Sequence, residues 1–287
     1  MTEFTQGQPP QGAPSGIPLS SGQVIPPVAY GTWQLDDAAA AVAVREAIDL
    51  DGYRLIDTGQ RYHNEAGVGE GMRASGVPRD QLMVTTKLRG GDQERVQARR
   101  SFKASLRNLG LEYVDLYFIH WPLPRLDKYV ESWLTLRELR DEGLIRTLGV
   151  SNFTTEHVDR LIADTGEGPA VNQVEMHVGW RQDELRRDMA ERGIAVQAWG
   201  PIGRGKGLLE DPRLVTVAER HGVTPAQVAL RWIWEQGAGS VAKSGHPVRR
   251  RQNMQIHGFS LTAEDHALID TIEQHRVGKD PLVTEEY

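Results

Sequence analysis

YVDLYFIHWP, residues 113–122, runs apolar without a break from Leu116 to Ile119 before it meets His120. A strand with one wet face alternates apolar and polar residues. A continuous apolar run instead suits a parallel strand covered on both sides by helices. The histidine adds a second clue, because it stands at the C-terminal end of the run. In a barrel of parallel strands that end is the rim on which active sites are built.

Working outward, seven more short apolar runs alternate with amphipathic segments of helical period. Strand candidates cover 28–31, 54–57, 82–87, 114–120, 144–150, 170–175, 195–199 and 240–243. Helix candidates cover 37–50, 93–109, 128–142, 155–165 and 183–192. Two more precede the eighth strand, at 211–221 and 225–235, and two follow it, at 248–255 and 262–274. Strict βα alternation without a change in composition predicts one closed α/β barrel of the (β/α)8 TIM type over residues 18–287, with extra helices near the C-terminus. Residues 1–17 are dominated by Gln, Gly, Pro and Ser and are expected to be a disordered tail. Between tail and barrel, 19–27 with a turn at Ser21 and Gly22 suits a short hairpin.

The 287 residues and 39% hydrophobic content support a sizeable core without staples. Zero cysteines exclude disulfides and thiolate metal sites and fit a reducing compartment. The net charge is -6, with signs interspersed, and the one basic cluster, Arg249 to Arg251, is too short for a nucleic-acid footprint. No run approaches the roughly 18–20 apolar residues of a membrane span. The expectation is a cytoplasmic, monomeric protein that binds neither nucleic acid nor membrane.

The chemistry lies at the strand ends. Asp57 closes the second strand in DTGQRYHNE, Tyr62 follows in the next loop, Lys87 ends the third strand in VTTKL, and His120 ends the fourth. A phenol is a poor acid at neutral pH, and a neighbouring ammonium lowers its pKa by stabilising the phenolate. Lys87 is the candidate for that ammonium, Asp57 would keep it charged and oriented, and His120 would hydrogen-bond a carbonyl oxygen. A lone Tyr or Lys is usually packing or solvated, but four such residues at successive strand ends are far less expected by accident.

With these residues in view, the chain from about Leu19 onward resembles the aldo-keto reductases, especially short bacterial members such as the 2,5-diketo-D-gluconate reductases. The resemblance rests on GTWQL at 31–35, DTGQRYHNE at 57–65, Lys87, YVDLYFIHWP, GVSNF at 149–153, NQVEMH at 172–177, KS at 243–244 and SLTAED at 260–265. It implies a metal-free, NADPH-dependent reductase of small carbonyls, keto sugar acids among them, with Tyr62 as proton donor and Asp57, Lys87 and His120 as its partners. The same fold also serves non-catalytic NADPH-binding subunits.

The resemblance assigns further roles by position. Ser151, Asn152 and Gln173 match a clamp for the nicotinamide carboxamide. Trp199 stands where a stacking Tyr is common, and its indole offers a larger face without the hydroxyl. Gly31 and Thr32 fall at the cofactor side of the first strand end. Gly200 to Gly207, GPIGRGKG, imitates a phosphate-binding P-loop, but Gly207 replaces the magnesium-ligating hydroxyl. In the reductase reading this loop presents backbone amides to a pyrophosphate, with Ile202 and Arg204 nearby. Lys243, Ser244 and Arg249 match the positions that take the 2′-phosphate, beside a helix started by Pro247. Gln252 and Asn253 align with adenine contacts, although Gln252 replaces an acid. Successive helical residues lie about 100° apart, so the three arginines cannot share one target. Trp33 and Trp121 are expected to wall the substrate pocket. Trp180 either does the same or covers the barrel. The stretch after Glu273 is short, which predicts an open pocket.

Overall fold

The computed structural model describes residues 16–285. A two-stranded antiparallel hairpin, β1 (Ile17–Pro18) and β2 (Val24–Ile25), leads into the barrel. The barrel strands are β3 (Val28–Gly31), β4 (Leu55–Asp57), β5 (Met83–Leu88), β6 (Val114–Ile119), β7 (Ile145–Ser151), β8 (Val171–Glu175), β9 (Ala195–Trp199) and β10 (Gly239–Ala242). They pair in parallel and in chain order, and β10 returns to β3 to close the ring, giving a (β/α)8 TIM barrel.

The helices are α1 (Asp37–Asp49), α2 (Glu65–Ala74), α3 (Arg95–Leu109), α4 (Tyr129–Asp141), α5 (Thr155–Thr165), α6 (Asp183–Glu191), α7 (Pro212–His221), α8 (Pro225–Glu235), α9 (Pro247–Met254) and α10 (Ala263–Asp270). Their starts are chemically marked. Asp36, Thr154, Asp211, Thr224 and Thr262 each accept a backbone amide of the first turn, and proline opens α7, α8 and α9.

Two cores follow from the two-residue alternation of the strands. Ala29, Leu55, Leu116, Phe118, Val171 and Val241 pack inside the barrel with Ile17, Leu19 and Ile25 of the hairpin segment, which plugs one mouth. Val28, Tyr30, Ile56, Tyr117, Ile119 and Val174 point outward and pack with the helices. The unbroken run Leu116 to Ile119 thus supplies both cores at once. At the other mouth the inward parity continues into polar residues, so Asp57, Lys87, His120, Ser151 and Gln173 converge on the open rim.

Three expectations need correction. The hairpin spans 17–25 instead of 19–27, and Ile17, assigned above to the tail, is a buried strand residue. Its side chain caps the barrel interior, a long-range contact invisible to local composition. The expected turn is present, with Gly22 at φ +85° and its amide donating to the Leu19 carbonyl. Residues 1–15 of the expected tail lie outside the described residues. The last helix stops at Asp270 instead of 274, because the chain turns away and the Gln274 side chain bonds the Val178 and Ile272 carbonyls.

The third correction is α2, absent from the helix candidates because Gly67, Gly69 and Gly71 dilute its pattern. These glycines let backbones touch. A Cβ at Gly67 would collide with the Asp37 carbonyl, one at Gly69 with the Leu109 carbonyl, and one at Gly71 with the Ala41 carbonyl. The Gly67 amide also donates to the Asp37 carboxylate at 2.7 Å.

Gly67→Ala should therefore destabilise the fold by about 1–3 kcal/mol through forced separation of α1 and α2. Gly245→Ala, where a Cβ meets open space and φ is ordinary, should stay within about 0.5 kcal/mol. Urea unfolding midpoints of the two variants check the contrast, and equal midpoints would refute the packing account.

Candidate active site

The rim holds a cleft of about 470 Å³ reached by Asp57, Tyr62 and His120. Asp57 is the last residue of β4, Lys87 the penultimate residue of β5, and His120 the residue after β6. Tyr62 sits in a single 3₁₀ turn, Gln60–Tyr62, that drops from β4 back over the barrel mouth. The four residues named from sequence are brought together.

Lys87 is fully buried, and its Nζ donates to Asp57 Oδ1 at 2.6 Å and to the Thr58 carbonyl at 2.9 Å. It lies 3.5 Å from the Tyr62 hydroxyl. Burial pushes the Lys87 ammonium below its ordinary pKa, and the Asp57 carboxylate opposes that shift. His120 meets Tyr62 edge to face at 5.8 Å between ring centroids. Burial first, then the positive charges of Lys87 and Arg61, hold His120 well below the usual histidine pKa. The imidazole is therefore neutral near pH 7, a hydrogen-bond partner for a carbonyl and no competing acid.

Gln173 carries a role that the sequence reading missed. Its Nε2 donates to Asp57 Oδ2 at 2.8 Å and to Gln197 Oε1 at 2.7 Å. Asp57 is thus held on one oxygen by Lys87 and on the other by a β8 amide that itself lines the cleft. Gln197, inward-facing in β9, was not singled out, although the alternation that marks Trp199 marks it too.

The other positions expected to touch a cofactor divide into groups. Gly31, Ser151, Asn152, Gln173, Trp199, Gly200, Ile202, Arg204 and Lys243 line the cleft. Ser151 Oγ donates to the Gln173 carbonyl at 2.8 Å, and Asn152 Nδ2 donates to the His120 carbonyl at 2.9 Å. Trp199 keeps a polar link after all, since its indole Nε1 donates to Asn152 Oδ1 at 2.8 Å. Thr32 is buried and spends its hydroxyl on the Asp57 carbonyl, supporting the strand end instead of lining the cleft. Ser244 accepts the His246 amide at 3.1 Å and shapes the entry to α9. On α9 itself Arg249 is exposed, Gln252 half-buried and Asn253 buried. The intervening Arg250 is buried, donating to Asp51 and Glu46 at 2.6 Å each.

Trp33 and Trp121 line the cleft as expected. The Arg204 guanidinium lies 3.9 Å from the Trp33 ring centroid and 5.5 Å from that of Trp199. Trp180 does not line the cleft. It faces a separate cavity of about 490 Å³, with Arg276 over its ring at 5.0 Å. The short C-terminal segment folds back far enough to bring Lys279 to the cleft.

A family model for the aldo/keto reductase family matches residues 27–274. The chain belongs to the aldo/keto reductase family. It is 43% identical over 266 residues to an aldo-keto reductase of Mycolicibacterium smegmatis, covering 92% of this chain and 96% of that one. It is 38% identical over 270 residues to methylglyoxal reductase DkgA of Escherichia coli, covering 93% and 97%. Among solved structures, an aldo/keto reductase from Brucella melitensis superposes with a TM-score of 0.86 at 42% identity, covering 90% of this chain and 97% of the other. A mutant of Gox0644 in complex with NADPH superposes with a TM-score of 0.90 at 36% identity, covering 95% and 99%.

Because Lys87 is wholly buried, Lys87→Met leaves the Asp57 carboxylate without its ammonium and should cost about 3–5 kcal/mol of stability. Adding Asp57→Leu should recover part of that loss, since the pair is then replaced by apolar groups. Chemical denaturation of the two single variants and the double variant tests this, and additive losses would refute it.

Proposed function

We propose that this reductase uses NADPH to reduce aldehydes and ketones to alcohols, with Tyr62 as proton donor. The observation that carries the reading is the buried Lys87 ammonium, held by Asp57 and set against the Tyr62 hydroxyl inside a cleft.

The residues present suit such a cofactor. Ser151, Asn152 and Gln173 put a hydroxyl and two amides on one wall, donors and acceptors that can exchange their mutual bonds for those of a carboxamide. The Trp199 ring gives a stacking surface beside them. Gly200, Gly203, Gly205 and Gly207 all have positive φ, so the loop after β9 follows a path closed to most side chains and favours backbone presentation to a pyrophosphate. Lys243, just after β10, and Arg249, in the first turn of α9, are exposed cations suited to a 2′-phosphate. When bound, NADPH would supply hydride from nicotinamide C4 to the carbonyl carbon.

The remaining work falls to the chain itself. Neutral His120 orients the substrate carbonyl by a hydrogen bond to its oxygen. Tyr62 donates its hydroxyl proton to that oxygen as negative charge develops there. Lys87 stabilises the phenolate left behind, and Asp57, steadied by Gln173, keeps Lys87 in place. Trp33 and Trp121 bound the space for the substrate's remaining groups.

Tyr62→Phe should lower carbonyl-dependent NADPH oxidation by about 10²–10⁴-fold while NADPH binding, followed by fluorescence quenching, persists. Wild-type turnover in that variant would end the assignment, and no turnover by the unaltered protein on any aldehyde or diketone would favour a non-catalytic binding subunit. Arg249→Ala should weaken NADPH about tenfold and NADH little, because only NADPH carries the 2′-phosphate. Equal losses in the two titrations would remove Arg249 from that role.

A further inference from the structure

Gln173 and Gln197 lie side by side inside the barrel. They are register partners on β8 and β9, both are buried, and their side chains meet at 2.7 Å. Chemistry decides which atoms touch. The Asp57 carboxylate paired with Lys87 can only accept, so the Gln173 atom 2.8 Å from Asp57 Oδ2 is the nitrogen, Nε2. That nitrogen turns its second hydrogen to Gln197, which makes the Gln197 atom an oxygen, Oε1. The polarity of the glutamine pair is thus inherited from the charge on Asp57.

The consequence falls on the third polar direction of the Gln173 amide. A primary amide is planar, with both N–H bonds and the C=O in one plane. One hydrogen bond would let the group swing about that contact, whereas two acceptors on two different strands fix the plane and with it the carbonyl. Gln173 Oε1 accepts no hydrogen bond among the described residues, yet it is not sealed in the interior. Gln173 lines the cleft, so Oε1 is the polar atom it offers there. Gln197 is 1% exposed and does not itself line the cleft, so its effect on a ligand passes through Gln173.

We propose that Gln197 is a positioning residue for the nicotinamide: by taking the second hydrogen of the Gln173 amide, it locks Gln173 Oε1 toward the cleft, where that oxygen accepts an N–H of the cofactor's carboxamide. This rests on the cofactor reading above and names the residue that sets the clamp's polarity. An amide held this way discriminates. A carboxamide supplies the donor that Oε1 requires, whereas a group of the same shape without N–H leaves the oxygen unpaired against a largely buried wall. With Gln197 gone, the amide regains rotation about its bond to Asp57 and can turn its oxygen aside. The discrimination then fades.

The test uses the full-length protein and two nucleotides, NADP+ and its analogue with an acetyl group in place of the carboxamide, titrated by calorimetry without substrate. The quantity read is the ratio of Kd for the analogue to Kd for NADP+. The unaltered protein should give a ratio of about ten. Gln197→Leu, which offers no acceptor, should bring the ratio to about two, while Gln197→Glu, of the same shape and with an oxygen retained, should keep it at about ten. Gln197→Met, unbranched and with only a weakly accepting sulfur, should follow the leucine variant and replaces it if that variant does not fold. Weaker binding of both nucleotides at a constant ratio in the leucine or methionine variant overturns the proposal, because a residue that merely packs would act that way. So does a glutamate variant that behaves like the leucine one, or equal affinity of the unaltered protein for the two nucleotides. Failure of the unaltered protein to bind NADP+ at all would instead sink the cofactor reading itself.

Discussion

Everything at the rim depends on the two-residue alternation of a closed parallel barrel. Once β10 pairs with β3 there is no free edge, and each strand's inward set is fixed from the plugged mouth to the open one. Leu116 and Phe118 lie inward, so His120 follows them to the mouth, just as Leu55 leads to Asp57 and Val171 to Gln173 and Glu175. A one-residue slip in any strand would exchange its core side chains for its polar ones. The apolar interior below therefore fixes the register of the polar residues above.

That inheritance explains how a charged pair survives with a lysine at zero exposure. A buried ion pair recovers its desolvation cost only when geometry is good and the remaining donors and acceptors are satisfied. Here the Asp57 oxygens take Lys87 and Gln173 separately, and Lys87 also meets the Thr58 carbonyl. The Thr32 hydroxyl and amide both bond the Asp57 carbonyl, so the backbone carrying the carboxylate is held as well. The pair is supported from β3, β4, β5 and β8, and loosening any one of these strands would reach Tyr62.

The strand ends were legible from the sequence because chemistry and periodicity point the same way there. Among the described residues, the eight barrel strands and nine of the ten α-helices fall within a few residues of their expected positions. The tenth, α2, hid because glycine signals a loop locally, while here it permits helix backbones to approach, a pairwise fact held in Asp37, Ala41 and Leu109. Ile17 hid for a related reason: its partners are Ile25 and the barrel interior, neither of which composition near residue 17 can reveal. Glu175 was within a quoted motif and on the correct parity, but its carboxylate accepts the Val277 and Gly278 amides about a hundred residues later. Contacts across such separations are set by topology, and a local pattern carries no trace of them.

The three consecutive arginines of α9 illustrate how buried and exposed charge are sorted on one helix. Arg250 is 2% exposed and ties α9 to Glu46 of α1 and to Asp51 just beyond it, while the Tyr53 hydroxyl donates to the Arg250 carbonyl. With that residue turned inward, rotation of about 100° per residue leaves its neighbours on other faces, and both Arg249 and Arg251 are exposed. Arg251 remains within 3.6 Å of the Asp51 carboxylate, so it leans back toward the same anchor. Arg249 enters no ion pair among the described residues. The buried arginine thus sets the helix's rotation, and that rotation leaves Arg249 exposed, as the proposed contact with a 2′-phosphate requires.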